Sequence, residues 1–110
     1  MSALTKLARD KPCTIRLPGC DGGGATTVGC HFRSVSLGAG AGHKPSDLLI
    51  AWGCVNCHSA VDGRRSAPGY DHQALRLAHA MGVMRTLVEL ERMGYVLGKL
   101  VESRNKGDLR

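Results

Sequence analysis

The chain has 110 residues, a formal net charge of +6 and a pI near 9.4; 43% of its residues are apolar, but only four are aromatic. That is the size of a single domain burying roughly 65% of its unfolded surface, and 15 glycines raise the cost of ordering its loops. No apolar run approaches the roughly 20 residues that span a bilayer, and MSALTKLARDKP lacks the apolar stretch of a secretory signal, so membrane classes are excluded and a soluble, cytoplasmic protein is expected.

In chain order, SALTKLARD (2–10) reads as a short helix with Ser2 as N-cap, stopping before Pro12. CTIRLPGC follows as a cysteine-bounded knuckle, then DGGGA as a loop. TTVGCHFRSV (26–35), rich in β-branched and aromatic residues, predicts a strand, and DLLIAWGC (47–54) a second. Between them GAGAGHKPS imitates a phosphate-cradling loop, but Lys44 precedes Pro45 rather than a helix opened by Ser or Thr, which rules that reading out. A short helix is expected from about Cys57 to Gly63, and a long one over 71–93. In the long helix Leu75, Ala78, Met81, Val83, Met84, Leu87 and Leu90 recur at helical steps, with Asp71 as its cap and Gly94 as its stop. The polar tail 101–110 reads as frayed, leaving 1–100 as the domain.

Five cysteines are an odd number for a closed disulfide framework, and reduced cysteines in a cytoplasmic chain more often hold metal. Six residues separate Cys13 from Cys20 and two separate Cys54 from Cys57, so the two pairs together offer a tetrahedral S4 site for structural zinc. The competing reading is four unligated thiols. Cys30, beside His31, reads as a small packed residue. The letters CVNCH also spell a haem attachment site, but that chemistry follows export and would leave Cys13 and Cys20 unused, so no haem is expected.

On a helix opening near Cys57, His58 and Asp62 stand at i and i+4 on one face, where an imidazole nitrogen and a carboxylate oxygen can share a divalent cation. Equally, Asp62 can serve only as the partner of Arg64 or Arg65. His43 reads as an exposed loop residue, and His72 and His79 as surface or packing residues. Ten arginines against five lysines suit a polyanion, because clustered cations displace counterions from a phosphate backbone. An inert basic surface fits the same count.

The ordered set CTIRLPGC, His31 with Arg33, GHKPSDLL, CVNCH followed by Asp62 in VDGR, and RTL (85–87) resembles the YbcO-like nucleases of phages and prophages, and more broadly the HNH, or ββα-metal, endonucleases. The similarity runs over roughly residues 5 to 97. It implies an α+β fold: a small zinc-stapled domain with a ββα-metal core and a long C-terminal helix. It further implies a metal-dependent endonuclease acting on DNA. His31 would be the general base, a task histidine suits near neutral pH. His58 and Asp62 would hold a catalytic divalent cation (Mg, Mn, Ni or Zn), and Arg33, Lys44, Arg64 and Arg65 would grip flanking phosphates. The chain departs from the HNH pattern in carrying Cys30 where an aspartate often precedes the first histidine, and Asp47 where an asparagine is usual. Asp47 would brace its loop, orient His31 or join the metal ligands; alternatively it is a turn residue after Pro45. Two rival functions share these features: a non-catalytic zinc-stabilised nucleic-acid-binding module, and an adaptor whose 71–93 helix forms a homodimer.

Overall fold

The computed structural model describes residues 3–34 and 46–95. Ser2 as a cap, the loop carrying His43 and Lys44, and the expected tail 101–110 lie outside them. The elements run α1 (Ala3–Leu7), β1 (Val28–His31), β2 (Ile50–Gly53), α2 (Val55–Val61) and α3 (His72–Arg92). Both strands are shorter than their β-rich sequences predict. They pair antiparallel in a register setting Val28 opposite Gly53 and His31 opposite Ile50. A two-stranded ribbon is marginal alone; here α3 lies across β2, and α1 packs on β1.

Before β1 the chain forms the cysteine knuckle, closed by a bridge between Pro12 and Gly23. Gly23 has φ 90°, and a β-carbon there would stand 2.5 Å from the Cys13 nitrogen, so only glycine lets the two backbones meet. After β2, Cys54 starts α2 as its N-cap, its sulfur accepting from the Cys57 amide at 3.4 Å. The helix therefore opens at Val55, two residues earlier than the sequence suggests, with Cys57 inside its first turns and Gly63 beyond its end at φ 80°. Asp71 caps α3 as predicted, accepting from the Ala74 amide at 2.8 Å. Gly94, at φ 77°, follows its last residues.

The larger core gathers Ile15, Leu17, Cys30, Ala51, Ala60, Ala67 and Val83 around the knuckle cysteines, and a smaller one joins Ala8, Trp52 and Leu90. The buried face of α3 is His79, Gly82, Val83, Thr86 and Leu90, which includes residues that no apolar pattern would select. Two contacts account for that choice. A β-carbon on Gly82 would meet the Ala51 side chain and Ile15 at 3.1 Å, so the helix sits close upon β2 and the knuckle. Thr86 Oγ1 lies 2.9 Å from Thr14 Oγ1, and both accept from the Trp52 amide, at 3.2 and 2.9 Å. The stripe containing Met81 and Met84 consequently faces outward, 38% and 56% exposed, continuing through Leu77 and Val88. This is the surface on which the homodimer expectation would fall.

Candidate functional site

The two halves of the cysteine motif come from distant elements, the knuckle and the start of α2, and the fold brings them together. One sulfur from each of Cys13, Cys20, Cys54 and Cys57 lies within 4.8 Å of the others. The Cys20–Cys54 pair is 3.9 Å apart, against about 3.8 Å for the edge of a tetrahedron with 2.3 Å zinc–sulfur bonds. Backbone amides already point at the sulfurs: Leu17 N–H at Cys57 and Gly22 N–H at Cys20, each at 3.3 Å. All four are free thiols. Burial, together with the negative charge of Cys13, pushes Cys20 and Cys57 above the ordinary thiol range, whereas at Cys13 the backbone hydrogen bonds from Arg16, Cys54 and Ile15 outweigh burial and lower it. Four thiols this close resist ionising together; a dication removes that conflict. Cys30 stands apart, buried at the end of β1 with its thiol pushed up to about 12, chiefly by burial. It is the packed residue its sequence suggests.

His31 closes β1, and its Nε2 lies 2.9 Å from Asp47 Oδ1. The carboxylate can only accept, so Nε2 is the donor, and in the neutral imidazole the lone pair then falls on Nδ1. On α2, Nε2 of His58 approaches Asp62 Oδ2 at 3.1 Å, one helical turn on. Arg64 Nη2 reaches the same oxygen at 2.7 Å. Asp62 thus touches His58 and Arg64 at once. Packing of β1 on α2 sets the two histidine–aspartate pairs on neighbouring elements.

The remaining basic candidates divide. Arg64 is committed to Asp62, and the Arg65 guanidinium lies against Gly19 in the knuckle. Arg33 is exposed just beyond β1. Its carbonyl accepts from Arg76 Nη1 at 2.8 Å, and that guanidinium stacks 4.2 Å over the Phe32 ring. Asn56 donates to the Gly19 carbonyl at 2.8 Å, as a knuckle residue would.

Two residues that the sequence left among surface and packing positions join the site. A cavity of about 210 Å³ between α2 and α3 is lined by Asp62, His72, Arg76 and His79. His79 is buried, its Nε2 2.9 Å from the Cys30 carbonyl and its ring edge-on to Phe32 at 5.2 Å. Burial holds its imidazole below the usual histidine range, partly opposed by the Cys30 bond, and it senses Arg76, Asp62 and His58. The signal for this flank is the spacing: His72, Arg76 and His79 recur at i, i+4 and i+7.

A family model described as "Putative nuclease YbcO" matches residues 2–95. The chain belongs to the YbcO family. It is similar to "Putative nuclease YbcO" of Escherichia coli K12, 42% identical over 65 residues that make up 58% of this chain and 67% of that protein. The same identity and shares hold for "Putative nuclease ybcO" of Enterobacteria phage 82. Among solved structures it is similar to one titled "Structure of a putative bacteriophage protein from Escherichia coli str. K-12 substr. MG1655", with a TM-score of 0.67 and 30% identity over 83% of this chain and 99% of that one. This YbcO member is thus a small α+β protein with a two-stranded sheet, a long C-terminal helix and four clustered cysteines. No helix among the described residues is long and apolar enough to cross a membrane.

Proposed function

We propose that the chain is a metal-dependent endonuclease of phage or prophage type, working on DNA in the bacterial cytoplasm through an HNH-like ββα-metal site. The observation that carries the reading is that β1, which ends on His31 with its Asp47 partner, packs on α2, which begins at the cysteine cluster and carries the His58–Asp62 pair. Family membership supports hydrolysis of nucleic acid as the reaction class.

Cys13, Cys20, Cys54 and Cys57 would hold zinc, fixing the knuckle to the start of α2 and so fixing the turn that presents His58. His58 and Asp62, whose donor atoms converge at 3.1 Å, fit a second divalent cation completed by phosphate and water oxygens. Bound there, the cation would offset the charge that builds on phosphate oxygens as the bond breaks. To open the site, Arg64 must release Asp62 Oδ2, and its freed guanidinium is then placed to grip a phosphate.

His31 supplies the base. With Nε2 held by Asp47, Nδ1 takes the proton from the water that attacks phosphorus, the P–O bond to the departing ribose oxygen breaks, that oxygen takes a proton from solvent water, and the Asp47 carboxylate stabilises the imidazolium left on His31. Asp47 thus acts by orienting His31. Arg33 and Lys44 grip flanking phosphates, which places the strand without reading its bases.

The test is metal rescue on plasmid DNA. His58→Ala and Asp62→Asn proteins with full zinc content should need far more Mg or Mn for cutting than wild type, with the maximal rate lowered on the order of a hundredfold. Metal curves superimposable on wild type would remove His58 and Asp62 from the reaction. Binding of DNA without cutting under any cation would favour the zinc-stabilised binding module.

A further inference from the structure

Arg16 has φ 62°, in the left-handed region where a side chain crowds its own carbonyl oxygen. A non-glycine residue held there is a mark of constraint imposed by its surroundings or by function. Exposed Arg16 and half-buried Arg85 together line two adjoining cavities along one flank of α3. The first, about 410 Å³, extends to Glu89 and Arg92, whose side chains pair with each other at 2.5 Å. The second, about 250 Å³, extends to Tyr70, Leu77 and Met81. Arg85 is fixed between them by a 2.7 Å bond from Nη1 to the Thr14 carbonyl, which holds its guanidinium in place before any ligand arrives. The result is a groove with arginines at its centre and one end, and an exposed apolar and aromatic wall at the other.

We propose that this groove binds a single-stranded segment of nucleic acid, with phosphates against Arg16 and Arg85, and against Arg92 once it releases Glu89, and an unstacked base against Tyr70 and Met81. Cations alternating with an aromatic or apolar platform are what a single strand needs, since its backbone is charged and its bases are free to stack. A duplex keeps its bases stacked inside and would leave the Tyr70–Met81 wall facing water.

The placement on α3 gives a second reason. Arg76 and the cavity beside Asp62 lie on one flank, while Ala78 and the groove lie on the other, about 200° round the helix at 100° per residue. A substrate touching both must turn tightly round the start of α3 near Tyr70. Duplex DNA, with a persistence length of about 50 nm, resists such a turn; a single strand does not. This link to the Asp62 flank rests on the hydrolytic reading, whereas groove binding does not. Self-pairing is a poorer occupant, because this face carries three arginines against the single carboxylate of Glu89, and a two-fold interface over it would bury that excess of positive charge twice.

The experiment measures anisotropy of a fluorescent oligothymidylate, and of the matching duplex, on the full-length zinc-loaded protein without added Mg or Mn, across a salt series. The single strand should bind more tightly. Arg16→Gly and Arg92→Ala should each flatten the dependence of log K on log salt by about 0.7, and Tyr70→Ala should weaken binding roughly tenfold. Because glycine is at ease at φ 62°, Arg16→Gly should melt no lower than wild type with its zinc intact, so lost binding is not lost fold. Unchanged slopes and affinities in all three variants overturn the proposal, as does a dimer that Met81→Glu splits while binding is unaffected. Adding Mg then separates the two readings. Groove-dependent binding without cutting would uphold the groove and sink hydrolysis, whereas undiminished cutting with an unchanged KM in Arg16→Gly would do the reverse.

Discussion

His79 shows how a single residue in this chain acquires a consequence from its surroundings. Its folded pKa is held below the ordinary histidine value, mainly by burial, so the folded state resists the proton that the unfolded state accepts. Its contribution to stability is therefore complete above the unfolded pKa of about 6.5, and is lost as pH falls from there through the lower folded value. Denaturant titrations at pH 7.5 and 6.0 should show wild type losing more stability than His79→Gln over that step, and equal losses would exclude His79 as the sensitive group. At this scale the sequence was legible wherever spacing along one helix sufficed: His58 and Asp62 do meet, at 3.1 Å. It was silent where the partner comes from elsewhere. Nothing local tells that Arg65 lies on Gly19, that Arg76 stacks on Phe32, or that the buried histidine of α3 answers a carbonyl of β1.

At the scale of elements, α3 is the instructive case. Its extent and its Asp71 cap follow from capping chemistry and periodicity, and Asp71→Ala should cost about 1 kcal/mol by denaturant titration. Its rotation about its own axis did not follow, because a hydrophobic count favours Met81 and Met84 over Gly82 and Thr86. Close approach to Ala51 and the Thr14–Thr86–Trp52 hydrogen bonds set the buried face instead. Thr86→Val keeps the shape and removes the hydroxyl. It should destabilise the protein by about 1–2 kcal/mol, and a variant as stable as wild type would deny that network its role. The RTL segment reads the same way: Arg85 holds the Thr14 carbonyl and Thr86 the Thr14 hydroxyl, so the pair locks α3 to the knuckle.

At the scale of the whole molecule, the cysteine cluster joins the knuckle to the start of α2. The spacing of Cys13, Cys20, Cys54 and Cys57 was readable because a tetrahedral thiolate site asks only that two pairs converge, and the fold makes them do so. With two short strands and few aromatics, the domain holds the knuckle against α2 through a small apolar core and the Asn56–Gly19 bond, to which a metal would add most. Structural zinc contributes on the order of 10 kcal/mol of apparent folding free energy, comparable with the whole stability of a small domain. Chelation should thus abolish the cooperative thermal transition, and one equivalent of zinc should restore it. A chelated protein melting as before would show the cluster to be dispensable.

The proposed role of His31 as base is tested by plasmid nicking with wild type and His31→Ala. Both proteins would carry measured zinc and the same added Mg or Mn. Wild type should nick the plasmid, and His31→Ala should do so more slowly by a factor on the order of a hundred to ten thousand, with DNA binding retained. Equal nicking by the two proteins would contradict it.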